Sequence, residues 1–175
     1  ELDERRVIVN KGKQKMPWSF LLTNGVMGTL LTGDGLGFTF FENARECRVT
    51  PWFGDALSDR GGEYLLLRFS GERGYYDLCR CAQSMVITPE EVHYLGLLSG
   101  LSYRISVSVP DRMRHKRIVL RLKNESAAPL EIRVRYQLQP MLGVVPEDGD
   151  AVSWRTMDHG LQFRAETNAA CAMYT

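Results

Sequence analysis

Between Phe41 and Glu63 the chain gathers more chemistry-bearing side chains than anywhere else. Asn43, Arg45, Glu46, Arg48, Asp55 and Asp59 fall within that stretch, with Thr50-Pro51-Trp52 in the middle and Gly61-Gly62 at the end. Carboxylates, guanidinium groups and an amide at this density suit two kinds of work. They can hydrogen-bond a polyhydroxylated ligand, or they can ion-pair to pin a loop or a neighbouring domain. Only Val49, Trp52 and Phe53 are obvious core residues here, so hydrophobic alternation does not fix the segment. It is predicted to be a polar loop held by its own side chains, a kind of loop that commonly carries function or holds an interface. The alternative is a well-satisfied corner of a β-domain. Asn43, Arg45, Glu46, Arg48, Asp55 and Asp59 are expected to form one buried or interfacial polar network.

Other reactive types are sparse. Trp18, Trp52 and Trp154, with Tyr75 and Tyr76, are candidate stacking platforms for a sugar ring. Trp18, between Pro17 and Phe20, is expected in the core rather than on a platform. One of Tyr75 and Tyr76 is expected to pack and the other to be exposed, because neighbours on a strand face opposite ways. The three histidines (His93, His115, His159) are scattered, and His93 with Glu90 or Glu91 is the only local acid–base candidate. The pairs Glu90-Glu91 and Asp148-Asp150 fall in predicted turns with no basic cradle for phosphate. The four cysteines form no C-x-x-C pair; Cys79 and Cys81, two apart, would share a face on a strand. No metal or cofactor is expected, and reduced thiols fit a cytoplasmic protein. Gly33-Asp34-Gly35 is followed by neither Lys-Ser/Thr nor a helical pattern, so it is a turn and not a phosphate loop.

The elements that must position these groups are strands. Residues 5–10, 26–32, 36–41 and 63–69 carry strand patterns, separated by Asn24-Gly25, Gly33-Asp34-Gly35 and Gly61-Gly62. Residues 92–98 and 101–109 form a hairpin about Ser99-Gly100. Leu101, Tyr103, Ile105, Val107 and Val109 alternate there with Ser102, Arg104, Ser106 and Ser108. A second hairpin is expected from 117–123 and 130–140. In its second arm Leu130, Ile132, Val134, Tyr136 and Leu138 face one way, while Arg133, Arg135, Gln137 and Gln139 face a glycan, a neighbouring domain or solvent. Residues 152–156, 161–165 and 169–174 complete the set. No helical period of ten residues occurs. Many short strands with Gly/Pro turns predict an all-β fold, a large antiparallel β-sandwich.

Several spaced motifs also carry a resemblance. Met16-Pro17-Trp18-Ser19, Asn24-Gly25, Gly33-Asp34-Gly35-Leu36-Gly37-Phe38-Thr39, Asn43-Ala44-Arg45-Glu46, Thr50-Pro51-Trp52, Asp55 and Ser58-Asp59 follow in order. Val109-Pro110, Leu122-Lys123-Asn124-Glu125-Ser126 and Leu142-Gly143 follow later in the chain. Together they resemble the N-terminal domain of glycoside hydrolase family 94, formerly glycosyltransferase family 36. That family holds cellobiose, chitobiose and cellodextrin phosphorylases and the phosphorylase-like end of cyclic β-1,2-glucan synthases. The chain departs from its pattern in Phe38-Thr39-Phe40 for Tyr-Thr-Trp, in Cys47 for Asn, and in Gly54 for Asn before Asp55.

The resemblance implies a galactose-mutarotase-like supersandwich occupying residues 1–175, truncated at its C-terminal end. A catalytic (α/α)6 barrel would be absent from this chain. The family's general acid and phosphate-binding residues lie in that barrel, so no catalytic residue is carried over. The implied role is that of a non-catalytic domain of a phosphorylase or glucan synthase acting on β-linked glucans: structural, dimer-forming or substrate-framing. Inorganic phosphate would be a co-substrate of a parent phosphorylase. The carbohydrate-binding or interdomain candidates are Trp18, Asn43, Arg45, Glu46, Arg48, Trp52, Asp55 and Asp59. An independent carbohydrate-binding module and an aldose-epimerase-like enzyme are the alternatives.

At 175 residues the chain is long enough for one domain with a real core. Its net charge of +1, from 22 basic and 21 acidic residues that intermingle, gives no footprint for nucleic acid. The expected partners are carbohydrate, the parent's own catalytic barrel and a second copy in a homodimer. The chain opens Glu-Leu-Asp-Glu without a signal sequence, so it is expected to be cut from something longer. The expected location is cytoplasmic, or a cytoplasmic part of a membrane-anchored parent.

Overall fold

The computed structural model describes residues 2–3, 5–13, 18–52 and 61–165. Pro17, Phe53, Asp55, Asp59, Cys171 and the expected strand at 169–174 lie outside the described residues. The strands are β1 (Leu2–Asp3), β2 (Arg6–Asn10), β3 (Ser19–Thr23), β4 (Met27–Thr32), β5 (Gly35–Phe41), β6 (Glu63–Phe69) and β7 (Tyr76–Asp77). They continue as β8 (Ser84–Ile87), β9 (Glu91–Leu98), β10 (Leu101–Ser108), β11 (Arg117–Asn124), β12 (Ile132–Leu138), β13 (Val152–Met157) and β14 (Gly160–Ala165). Two short 3-10 turns, Lys11–Lys13 and Pro146–Ala151, are the helical segments among the described residues. None is long and apolar enough to cross a membrane.

All pairings among the described residues are antiparallel. One sheet has six strands in the order β1-β2-β8-β9-β10-β11; two have three, β3-β4-β5 and β12-β6-β7; β13 and β14 form a separate hairpin. Alternation explains the layers. Along β6, Glu63, Leu65, Leu67 and Phe69 are buried and the residues between them are half-exposed. Their faces meet Val92 and Tyr94 of β9 and Tyr103, Ile105 and Val107 of β10 in one core that also takes Leu22, Met27, Leu31 and Leu36 from β3–β5. The sandwich expected from the sequence is therefore the fold.

Polar tips stitch the layers together. The Tyr94 hydroxyl donates from the six-stranded sheet to the carbonyls of Thr32 and Gly35, at 2.8 and 2.9 Å, in the β4–β5 turn. The β4–β5 register slips by one residue at Leu31. Gly37 has φ +63 at this bulge, and a Cβ there would lie 1.5 Å from the Leu30 carbonyl oxygen, so only glycine fits.

Four expectations need correction. Residues 117–123 and 130–140 are not arms of one hairpin: β11 pairs with β10 and β12 with β6, so the 125–131 connection crosses between sheets. Period-two patterning fixes a strand's faces but not its partner. Trp18 is not core; it is 56% exposed at the start of β3. Cys79 and Cys81 do not share a strand face, since they lie in a turn after β7 with Cys79 buried and Cys81 exposed. Tyr75 and Tyr76 do not divide into one packed and one exposed, since both are half-buried. Tyr75 lies under the Arg68 guanidinium, and Tyr76 meets Phe69 edge-on. The shared face expected for Val134 and Tyr136 is observed, opposite Leu67 and Leu65 by register, and the two are 42% and 50% exposed. Among the described residues β12 is an edge strand, and its inward face is only partly covered.

Candidate functional site

The polar loop begins where β5 ends. Glu42 adopts φ 52, a left-handed conformation uncommon outside glycine, and turns the chain out of the sheet. The Asn43 side-chain carbonyl then accepts the backbone N–H groups of Arg45 and Glu46 at 2.8 and 3.2 Å. This is an Asx turn, the local device that makes asparagine a turn former. Arg48 closes the loop. Its Nε donates to the Ala44 carbonyl at 3.0 Å and its Nη1 to the Trp52 carbonyl at 3.3 Å. The Trp52 ring stacks on Phe38 with centroids 4.8 Å apart and planes 1° from parallel. Val49 N–H bonds the Thr39 carbonyl, and the Thr50 hydroxyl accepts Thr39 N–H at 2.9 Å.

The far side of the loop supports a second segment. Arg48 and Gly143 exchange backbone hydrogen bonds of 3.3 and 3.1 Å, and Met141 N–H bonds the Val49 carbonyl at 2.9 Å. Beyond them Asp148 Oδ2 accepts the N–H groups of Val144 and Val145 at 2.6 and 2.9 Å. Those two donors hold the Asp148 carboxyl below the usual carboxylate range. The chain then enters the β13–β14 hairpin, where Trp154 stands directly opposite Phe163. Pro51, Gln139, Pro140, Met141, Gly149, Asp150, Val152, Trp154 and Phe163 line a cleft of about 260 Å³. The loop thus forms one wall of the cleft through Pro51, and the hairpin forms the other. Gly62 passes so close to Pro51 and Thr50 that a Cβ would come within 2.6 Å of each, which explains the glycine pair ending the loop.

A buried polar network lies behind the loop, built from residues that sequence reasoning did not select. Glu63 accepts three hydrogen bonds. Lys116 Nζ (2.8 Å) and the Tyr136 hydroxyl (3.1 Å) reach Oε2, and the Thr39 hydroxyl (2.5 Å) reaches Oε1. Lys116 Nζ also donates to the Leu36 carbonyl at 3.3 Å and to Thr39 Oγ1 at 3.2 Å. The lysine and glutamate side chains are 7% and 2% exposed. Burial pulls the Lys116 amine below its usual range, and the Glu63 charge opposes that shift. Burial, with the Glu63 charge adding to it, pushes the Tyr136 phenol up. The signal was present in the alternation: Glu63 is in phase with Leu65, Leu67 and Phe69, and a carboxylate in a buried row requires a cation.

A third cluster lies on the other face of the six-stranded sheet. Glu91 and His93 are in phase on β9. Glu91 Oε1 is 3.2 Å from His93 Nε2, Arg104 Nη2 is 2.8 Å from the same nitrogen, and Ser106 Oγ is 3.0 Å from Nδ1. Nε2 thus faces both a guanidinium donor and a carboxylate acceptor, and Nδ1 faces a hydroxyl that can do either. Burial lowers the His93 pKa; Glu91 opposes this, and Arg104 and Arg121 reinforce it. Lys11 is likewise engaged, donating to the carbonyls of Cys79 and Arg80 at 2.7 and 2.9 Å.

The structure therefore brings Asn43, Arg48 and Trp52 together as parts of the loop's own scaffold. Arg45 and Glu46 lie at the exposed surface, and Trp18 stands on a different edge. Asp55 and Asp59 fall outside the described residues. Trp154, Asp150 and Gln139 were legible as single residues, but their convergence was not, because it depends on the 139–151 segment bridging to the loop. Among the described residues no group of three or more His, Cys, Asp and Glu side chains is placed to hold a metal.

A family model described as "Glycosyl hydrolase 94, supersandwich domain" matches residues 4–174. The chain is also 26% identical over 134 residues to the cyclic beta-(1,2)-glucan synthase NdvB of Rhizobium meliloti (strain 1021), covering 73% of this chain and 5% of that protein.

Proposed function

Because the chain belongs to the glycosyl hydrolase 94 family through its supersandwich domain, we propose that it is the non-catalytic N-terminal domain of a larger enzyme acting on β-linked glucans. Its role there is structural, dimer-forming or substrate-framing, and its partner is a catalytic barrel elsewhere in the parent. The parent is a glycoside phosphorylase or a cyclic β-1,2-glucan synthase. In a phosphorylase, inorganic phosphate is the parent's co-substrate and does not bind this domain. The domain works in the cytoplasm, either free or on the cytoplasmic side of a membrane-anchored parent.

The observation that carries this reading is the lining of the cleft. Inverting phosphorolysis needs an acid over the glycosidic oxygen and a cationic cradle for phosphate opposite it, by analogy with two-carboxylate inverting hydrolysis. Among the described residues the lining offers one carboxylate, Asp150, and no Lys, Arg or His. Glu63 and Lys116 are buried in each other's company, and both nitrogens of His93 are engaged. That last contact also weakens an aldose-epimerase reading, which needs a free base and acid in one cleft. Incubating the 175-residue chain with cellobiose or sophorose, with and without inorganic phosphate, tests the proposal. No glucose or glucose 1-phosphate is expected; turnover abolished by a single substitution in the chain would overturn it.

A second reading has its own support. Trp18 and Trp154 are 56% and 66% exposed, as stacking platforms of an independent carbohydrate-binding module would be. Calorimetric titration separates the two. Sub-millimolar binding by the chain alone favours the module. Weaker binding favours a domain that frames sugar only beside its barrel.

A further inference from the structure

We propose that the cleft between the polar loop and the β13–β14 hairpin is a subsite for a single β-linked glucose unit, with Trp154 as its floor. The proposal rests on the β-glucan reading above for the class of sugar, and on the geometry for the place. Three features converge. Trp154 leaves most of its indole open to solvent, and Phe163 directly opposite extends the aromatic surface. Gln139 and Asp150 stand on the same lining. The volume, about 260 Å³, falls just under the roughly 300–1,000 Å³ of pockets that enclose drug-sized molecules. That size suits one pyranose ring and not a chain of them.

The chemistry matches β-glucose in particular. Its ring hydroxyls are all equatorial, so both ring faces present axial C–H groups and are apolar. The hydroxyls radiate around the rim. An indole takes the face. A carboxylate accepts from two neighbouring hydroxyls, and a primary amide both donates and accepts. Asp150 and Gln139 supply that pair. Pro51 and Met141 add apolar surface to the same lining. An α-linked or axially substituted sugar would lose part of the flat contact.

The test is a fluorescence and calorimetric titration of the 175-residue chain with sophorose, cellobiose, methyl β-glucoside and, as the axial control locked against mutarotation, methyl α-glucoside. The β-linked sugars are expected to perturb tryptophan emission, and methyl α-glucoside is expected to do so less. Trp154→Ala should weaken β-disaccharide binding by about tenfold or more, a change of about 1.4 kcal/mol. Asp150→Asn should weaken it without altering emission of the free chain, and Trp18→Ala should leave it within about twofold. The Trp154 side chain is exposed, so its loss should not unfold the chain, and circular dichroism checks this. Should Trp154→Ala fail to fold, Asp150→Asn alone decides. Binding that survives Trp154→Ala or Asp150→Asn, or that is lost with Trp18→Ala instead, overturns the subsite and leaves the non-catalytic reading standing. No binding by the parent chain also overturns the subsite. Turnover by the chain would overturn the non-catalytic reading while the same variants still judged the cleft.

Discussion

Replacing Glu63 by glutamine should be among the most damaging single changes in this chain. The shape of the side chain is kept, while its charge is lost and one acceptor oxygen becomes an amide donor. At 2.8 Å, the gross attraction between Glu63 and Lys116 is about 6 kcal/mol at an effective dielectric of about 20. That attraction is largely offset by what it costs to take both ions out of water. The pair therefore gives little net stability relative to an apolar pair of the same size. Removing one partner is different. It leaves the Lys116 ammonium 7% exposed with neutral acceptors alone among the described residues: the Leu36 carbonyl, the Thr39 hydroxyl and the new amide oxygen. The expected loss is about 3–5 kcal/mol, a large share of the roughly 5–15 kcal/mol that holds a typical domain together.

Urea denaturation followed by tryptophan fluorescence measures this. With a slope of about 2 kcal/mol per molar, the midpoint of Glu63→Gln should fall by about 1.5–2.5 M. Lys116→Met should lose a similar or smaller amount, because the carboxylate keeps the Thr39 and Tyr136 hydroxyl donors. The double variant is the decisive one. With both charges gone it should be clearly more stable than the sum of the single losses, by about 1–3 kcal/mol of coupling. A Glu63→Gln midpoint within about 0.3 M of the parent, or strictly additive losses in the double variant, would refute the buried pair.

Gly37→Ala should destabilise severely, by more than about 3 kcal/mol, because its Cβ would meet the Leu30 carbonyl at a left-handed φ. Gly71→Ala, also left-handed but with open space around it, should cost only about 1 kcal/mol, and thermal melts of the two separate crowding from backbone strain. In a Cys171→Ser background, native thiol labelling read by mass spectrometry should modify exposed Cys81 while buried Cys47 and Cys79 stay protected. Thr50→Val removes the acceptor of a buried N–H, that of Thr39, and should cost about 1–3 kcal/mol; Thr50→Ser should restore most of it. Burial raises the pKa values of Cys79, Tyr94 and Tyr103, so the folded state holds these protons more tightly than the unfolded chain. The stability they lend is complete below their unfolded values and is lost as pH rises past about 8.5 for the thiol and about 10 for the phenols. The lowered lysines Lys11 and Lys116 act with the opposite sign, but only up to about pH 10.4, where an unfolded lysine loses its own proton. The unfolding free energy from urea titrations should therefore fall steeply above about pH 10.5, by about 1.4 kcal/mol per pH unit for each tyrosine.

The sequence was legible wherever local pattern decides. Strand β6 spans the residues its alternation marks, and the 91–108 hairpin turns at Ser99-Gly100. It was not legible where partners are chosen at a distance. β11 and β12 are adjacent in the chain and similar in pattern, yet they enter different sheets. Trp18 looked like core because its neighbours are apolar, but it opens a strand whose exposed positions begin at Ser19. The loop was recognisable as polar and self-pinned, and Asn43 and Arg48 do pin it. The buried charges lay elsewhere, on Glu63 and Lys116, 53 residues apart. Each reads as an ordinary surface residue until the phase of β6 is taken seriously.

Thr39 joins these two levels. Its backbone carbonyl receives Val49 N–H and its N–H goes to the Thr50 hydroxyl, so it anchors the exit of the loop. Its own hydroxyl lies between Glu63 and Lys116. The wall of the cleft at Pro51 follows directly after Thr50, and the opposite wall reaches the loop through the Arg48–Gly143 bridge. A charge pair in the core, a pinned loop and a surface cleft are thus three links of one covalent and hydrogen-bonded path. Leu142, beside that bridge, is held at φ 51, a conformation non-glycine residues seldom adopt. That left-handed turn lies between the Met141–Val49 and Gly143–Arg48 backbone hydrogen bonds, so the segment that leads from Gln139 to Asp150 is tied to the loop on both sides of it.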